Sequence, residues 1–423
     1  MNFKDLKLIP VAFALLSLTI SCQGEQQKKT EFIRENVAFA VAQTDRLLQA
    51  AGEPTGKNYP RTMKSSGELA VTNMYDWTSG FFPGNLWYLY ELTDDARWKA
   101  AAEKWTVSLD PLKTHTGTHD LGFMMYCSYG NAERLAPNAG YQEVLIESAN
   151  SLCSRFSEKT GVIKSWNSFR PWNDTVLFRY PVIIDNMMNL EMLFYASKVS
   201  GDKKYYDIAV KHADATLKNH FREDFSTYHV LAYDTASPRV LGKYTGQGFS
   251  DNSTWARGQA WAIYGFTMVY RETRDPKYLD VAIRATDFYL KHLPEDFVPF
   301  WDFNAGEAGY TPGSRSYAAE FHEKPRDASA AAIVCSALFE LSGYANRPEY
   351  RDSAVKMLHS LASPAYRAAL GSNADFLLMH SVGSIPHQSE IDKPLVYADY
   401  YFLEALIRYS ASANPGAPSR KTP

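Results

Sequence analysis

Four cysteines, Cys22, Cys127, Cys153 and Cys335, stand in 423 residues, too few and too widely spaced for a disulfide framework. There is no HExxH and no paired CxxC, and the ten histidines are scattered. No metal and no other cofactor is therefore expected. A polybasic stripe is also lacking, and the net charge is −3, which argues against nucleic acid as a partner. Cys127, Cys153 and Cys335 fall in expected helices, where a lone cysteine packs as a small apolar residue.

An apolar stretch from Leu8 to Ile20 follows Lys4 and Lys7 and meets Ser21 and Cys22. It is too short to span a bilayer and has the layout of a secretory signal. A cysteine after a small residue resembles the acceptor of a bacterial lipoprotein signal, although Thr19 departs from the usual leucine. Residues 1–21 are thus expected to be a signal, Cys22 the lipidated residue and residues 22–30 a polar tether, with the protein in the bacterial envelope and touching membrane only through that anchor. An ordinary cleaved signal fits the same stretch. Loss of Lys4, Lys7 and Asp5 with residues 1–21 would move the net charge to −4.

What the chain does have is a repeat. An aromatic residue followed four places later by alanine recurs after turn-forming residues: Trp98 and Ala102, Tyr205 and Ala209, Tyr278 and Ala282, Tyr350 and Ala354. Tyr141 fits with Leu145 in the alanine place. Residues four apart share a helix face, and the uneven spacing suits helical hairpins with long inserted loops. Twelve helices are expected, near 31–51, 78–93, 95–109, 120–135, 140–157, 184–200, 203–220, 254–273, 276–293, 326–343, 348–364 and 394–410. Members rich in Gly, Ala, Met and aromatics read as a buried inner ring and their charged partners as an outer one. The expectation is an all-α closed barrel of six hairpins over residues 31–411, with loops near 158–183, 221–253, 295–325 and 371–393 shaping a cleft at one end and 412–423 a disordered tail.

Asp185 is the only charge in YPVIIDNMMNL, and Asp120 heads a similar apolar stretch in GTHDLGFMMY. A carboxylate drawn into an apolar core needs a reason. Paired acid/base work supplies one, and a helix N-cap supplies another. Aromatics make up 14 % of the chain, and Trp77, Trp166, Trp172, Trp255 and Trp261 fall in loops or at inner helix starts, where flat rings suit sugar faces. The densest polar cluster, GQGFSDNSTWARGQAW, puts Arg257 four places before Trp261. That arginine could hold a carboxylate-bearing ring, or pair with Asp251 or another buried acid.

The chain resembles glycoside hydrolase family 88, the unsaturated glucuronyl hydrolases. The resemblance rests on DWTSGFFPG, HDLGF, IIDNMMNLE, QGFSDNSTWARGQAW, WDF, RDASAAAI and YADYYFLEAL, in that order from residue 76 to residue 406. It implies an (α/α)6 barrel and a substrate made by polysaccharide lyases, an oligosaccharide whose terminal uronic acid has a C4=C5 double bond. Hydration of that bond releases the adjoining sugar. The resemblance implies that Asp185 is the acid and then the base, that Asp120 assists, and that Trp77, His119, His229, Gln247, Arg257 and Trp261 line the sugar site, with Trp77 or Trp261 stacking on the ring. It points to glycosaminoglycan fragments. The segment GSIPHQSEIDK departs from the serine- and lysine-rich pattern of members that accept sulfated substrates. Three alternatives fit the residues: an unsaturated rhamnogalacturonyl hydrolase, which usually has Asn-Gly where Gln259-Ala260 stand here; a two-carboxylate glycosidase; and a non-catalytic glycan-binding lipoprotein.

Overall fold

The computed structural model describes residues 9–411. Residues 1–8 and 412–423, to which the start of the expected signal and the expected tail belong, lie outside the described residues, as does the side chain of Cys22. In chain order the helices are α1 (Ile9–Ala51), α2 (Phe81–Thr93), α3 (Ala96–Val107), α4 (Asn131–Leu135), α5 (Ala139–Cys153), α6 (Leu190–Ser200), α7 (Lys203–Asn219), α8 (Ala256–Thr273), α9 (Pro276–Lys291), α10 (Ala328–Ala345), α11 (Pro348–Leu361) and α12 (Val396–Ala411). The wide π-turns of Gly122–Gly130 run straight into α4, and the tight 3₁₀ turns of Ile184–Asn189 into α6. Each makes one longer rod, so the expected twelve are present, with ends shifted by a few residues. The exception is α1, which is helical through 22–30 instead of starting at 31. Glu25, Gln26, Gln27, Lys28 and Lys29 are strong helix formers, and no proline interrupts them.

The inner ring closes. α2 packs on the 122–135 rod, that rod on 184–200, and 184–200 on α8; α8 then packs on α10, α10 on α12, and α12 back on α2. The outer helices α3, α5, α7, α9 and α11 each follow an inner partner, and α1 packs against α2 and α12. This is the all-α barrel of six hairpins. Inner neighbours approach closely because small residues sit at the contacts. A Cβ on Gly80 would meet the Met124 carbonyl oxygen at 2.2 Å, and one on Gly122 the Asn189 Cα at 2.5 Å.

The repeat has a structural role. Asp95, Asn138, Asp202 and Asp275 cap α3, α5, α7 and α9 with their side chains, which satisfies otherwise unpaired helix-start N–H groups. The aromatic stands three residues after each cap, and Tyr350 three after Arg347; Trp98, Tyr205, Tyr278 and Tyr350 are buried, as are the alanines that follow, while Tyr141 is half-buried. The tyrosine hydroxyls then lace successive outer helices, Tyr205 donating to Asn150, Tyr278 to Asp214 and Tyr350 to Asp287. Cys127 and Cys335 are buried as expected, whereas Cys153 is half-buried.

The cleft loops contain strands that the sequence reading leaves out. They are β1 (Tyr59–Met63) with β2 (Leu69–Thr72), β3 (Phe156–Ser157) with β4 (Val162–Ile163), the antiparallel sheet of β5 (Pro181–Ile183), β6 (Val230–Tyr233) and β7 (Val240–Tyr244), and β8 (Ser381–Ser384) with β9 (Ser389–Lys393). Runs of two to five residues are too short for a period-2 pattern to register.

Candidate active site

Every inner helix begins at the same end of the barrel, so six N-terminal ends converge there, an arrangement that favours a bound anion. A cavity of about 410 Å³ opens at this end, lined by Trp77, His119, Asp120, Trp166, Ser168, Phe169, Arg170, Trp172, Ile183, Asp185, Gly246, Gln247, Arg257 and His387. Three of the four expected loops supply lining residues. The fourth, 295–325, backs the wall: Arg315 donates to the Pro171 and Asp174 carbonyl oxygens, and Ser314 N–H donates to Asn173.

Asp120 and Asp185 face this one cavity, Asp120 from the turn just before the 122–135 rod and Asp185 from the first turn of the neighbouring 184–200 rod. Asn189, one turn after Asp185, accepts the Phe123 N–H with its Oδ1 at 3.0 Å and so fixes the two rods to each other. Neither aspartate is an N-cap: the cap positions of the two rods are Leu121 and Ile183, neither of which makes a side-chain cap bond. Asp185 is 9 % exposed, and among the described residues its Oδ2 has no hydrogen-bond partner. Burial pushes its carboxyl up to about 7; the Arg257 charge opposes that rise and the Asp120 charge adds to it. Asp120 accepts from Thr118 Oγ1 at 2.6 Å and has His119 Nε2 3.3 Å from its other oxygen. Burial holds the His119 imidazole below its ordinary range, against the pull of Asp120.

His229, which the resemblance implies lines the sugar site, is buried immediately before β6. Its Nδ1 accepts the N–H groups of Gly246 and Gln247 at 3.0 and 3.1 Å. Nδ1 therefore carries no proton, and Nε2, which carries the hydrogen, lies 3.7 Å from Asp185 Oδ2. Gln247 donates to the Gly383 carbonyl oxygen at 3.2 Å. Arg257 is 1 % exposed; it pairs with Asp327 at 3.1 Å, bonds the Val382 and Gly383 carbonyl oxygens and stacks 4.5 Å from the Trp255 ring. Its partner is thus Asp327, not Asp251, and Asp327 also caps α10. The expected motifs WARGQAW and RDASAAAI meet in this one ion pair.

Trp77 lines the cavity, its ring set against Tyr397 and Phe123. Trp261 does not reach it. That ring is fully buried beneath the site, 5.1 Å from Phe123 and 5.6 Å from Tyr401, because residues four apart on a helix lie one turn deeper in the barrel. Its expected stacking role does not fit this position. The sequence reading also passes over Ser168, Phe169, Arg170 and His387 as site residues. The two tryptophans and one arginine packed into WNSFRPW were the available signal.

The family model described as Glycosyl Hydrolase Family 88 matches residues 53–405. An "Unsaturated glucuronyl hydrolase" of Formosa agariphila is 47 % identical over 96 % of this chain and 98 % of its own length. An "Unsaturated chondroitin disaccharide hydrolase" of Streptococcus pneumoniae is 30 % identical over 89 % of this chain and 92 % of its own. The crystal structure of an unsaturated glucuronyl hydrolase specific for heparin superimposes with a TM-score of 0.82 at 43 % identity, covering 90 % of this chain and 97 % of the other.

Proposed function

The chain belongs to glycoside hydrolase family 88, and from that premise we propose that it is an unsaturated glucuronyl hydrolase which hydrates the C4=C5 bond of the terminal uronic acid on lyase-made glycosaminoglycan fragments. One observation carries this reading. Asp185 is a buried carboxyl pushed up to about 7, with an oxygen left unbonded among the described residues, in a cavity it shares with Asp120. A group poised near neutrality can both give and take a proton. Neutral Asp185 donates its proton to C4, and positive charge develops at C5 and the ring oxygen. The carboxylate so formed takes a proton from the water that adds at C5, which restores the acid and leaves a net gain of one water. The resulting hemiketal opens and releases the adjoining sugar. Asp120 faces the same cavity and His229 stands beside Asp185, while Arg257 and the converging helix starts favour the uronate carboxylate.

The test is to mix the protein with lyase-made unsaturated chondroitin, hyaluronan and heparin disaccharides and follow the ultraviolet absorbance of the conjugated double bond. Absorbance is expected to fall, and not to fall with Asp185→Asn, which should keep its fold. Cleavage of saturated glycosides with the absorbance intact would instead assign a two-carboxylate glycosidase.

The Leu8 to Ile20 stretch ending at Cys22 supports a second proposal, that the protein is a lipoprotein of the bacterial envelope. Incorporation of labelled palmitate that is lost in Cys22→Ser tests it.

A further inference from the structure

Arg155 is 7 % exposed and lies behind the cavity wall, not on it. Its Nε–H donates to the Lys164 carbonyl oxygen at 2.9 Å, its Nη1 to the Thr116 carbonyl oxygen at 2.7 Å and its Nη2 to the Ser165 carbonyl oxygen at 2.9 Å. Both Nη atoms also reach Asn167 Oδ1 at 3.4 Å. Among the described residues no carboxylate is bonded to it. A buried guanidinium keeps its charge, and burying one without an acid partner is costly. Asp120 is the acid whose charge acts on it.

The bonds lead to both catalytic aspartates. Thr116 stands four residues before Asp120 in the loop that delivers it, and Thr118 of the same loop is bonded to the Asp120 carboxylate. Ser165 exchanges bonds with β5: its N–H donates to the Pro181 carbonyl oxygen at 2.9 Å, and its Oγ accepts the Ile183 N–H at 2.9 Å, two residues before Asp185. One planar fork thus joins the segment that ends in Asp120 to the segment that ends in Asp185. A lysine has a single nitrogen and cannot hold three carbonyls in fixed directions.

We propose that Arg155 is a positioning residue that sets the separation of Asp120 and Asp185 by tying Thr116 to Ser165. The inference rests on the hydration reading for what that separation accomplishes. The charged and titratable groups around Asp185 are Asp120 and His119 from the 117–120 loop, His229 from the residue before β6 and Arg257 from α8. Releasing Thr116 frees only the first pair. Asp120, whose side chain is already 15 % exposed, then relaxes toward solvent, and its repulsion of the Asp185 carboxylate weakens.

The test uses Arg155→Lys, which keeps the charge and loses the fork. The first readout is the infrared carbonyl band of protonated Asp185, identified by its absence in Asp185→Asn and titrated with pH. Its midpoint is expected near 7 in the parent and about half a unit or more lower in Arg155→Lys. The second is turnover of the unsaturated disaccharide, where kcat is expected to fall about 10²-fold while KM holds. An unmoved midpoint with unmoved kcat, whatever the change in melting temperature, would make Arg155 a strut and overturn the proposal. If Arg155→Lys does not fold, Ser165→Ala, which removes the Ile183 N–H bond to Oγ and so loosens the Asp185 branch while leaving its backbone bonds, is held to the same two outcomes. The infrared titration needs no turnover, so an inactive parent enzyme would overturn the hydration reading while leaving the tether decided on its own.

Discussion

His229 presents Nε2 3.7 Å from Asp185 Oδ2 because its other nitrogen is held by two backbone N–H groups, those of Gly246 and Gln247. The same ring therefore sets the tautomer facing the acid and the position of the Gln247 loop. Asparagine can imitate one face of this ring, since its Oδ1 occupies the place of Nδ1. His229→Asn is expected to keep the loop and KM while kcat falls about 10²-fold. Steady-state kinetics on an unsaturated disaccharide decides, and an equal rise in KM would place His229 in binding alone.

The pH profile follows from Asp185. The proton-donating form is the neutral one, so kcat/KM should hold below about 7 and fall tenfold per unit above it. The Asp120 charge raises the Asp185 pKa, so its removal must lower it. Asp120→Asn is expected to move the alkaline limb about one unit toward acid. A limb that stays, or moves toward base, would show that Asp120 does not act on Asp185 through its charge.

Trp77 and Trp261 separate binding from packing. Trp77→Ala should raise KM about tenfold with a modest loss of stability, because its ring borders the cavity. Trp261→Ala removes a fully buried ring and should cost about 3 to 5 kcal/mol of folding stability. Urea unfolding and Michaelis kinetics on the two variants give the comparison.

Arg170 and His387 are the exposed members of the cavity lining, so they mark its mouth, while Asp185 and Arg257 mark its floor. A uronate held at the floor puts the adjoining sugar at the mouth, within reach of the Arg170 guanidinium. Arg170→Ala is expected to raise KM about tenfold for disaccharides sulfated on that sugar and to leave unsulfated ones unchanged. Equal losses on both would remove Arg170 from specificity.

Stability at acid pH should depend on His212. Burial lowers its pKa to about 3, and its Nδ1 accepts the Ile163 N–H at 3.0 Å. With the folded value below the unfolded one, the neutral ring contributes stability above about 6.5 that is lost as the pH falls toward 3. His212→Asn keeps the acceptor and removes the titration. The stability difference between parent and variant is expected to narrow by about 1.4 kcal/mol between pH 7.5 and 5.5, read by urea unfolding at both values.

The helices were legible because their signals are local. Asp95, Asp202 and Asp275 followed three residues later by a buried aromatic mark helix starts by chemistry that acts within one turn. The isolation of Asp185 in an apolar run was equally plain, since a lone buried carboxylate is anomalous wherever the run packs. The family motifs carried most of the site residues for the same reason.

What the linear chain could not express was depth and partnership. Arg257 and Trp261 share a helix face, yet only ring closure decides that one reaches the cavity floor while the other lies a turn below it. The pairing of Arg257 with Asp327 and the tie from Thr116 through Arg155 to Ser165 join residues tens of positions apart. Such bonds exist only after the barrel has closed and water has left. The same desolvation brings Asp185 to about 7. The sequence by itself therefore determined which elements form and which carboxylate is out of place; the tertiary structure alone decided which partners surround that carboxylate and how strongly it holds its proton.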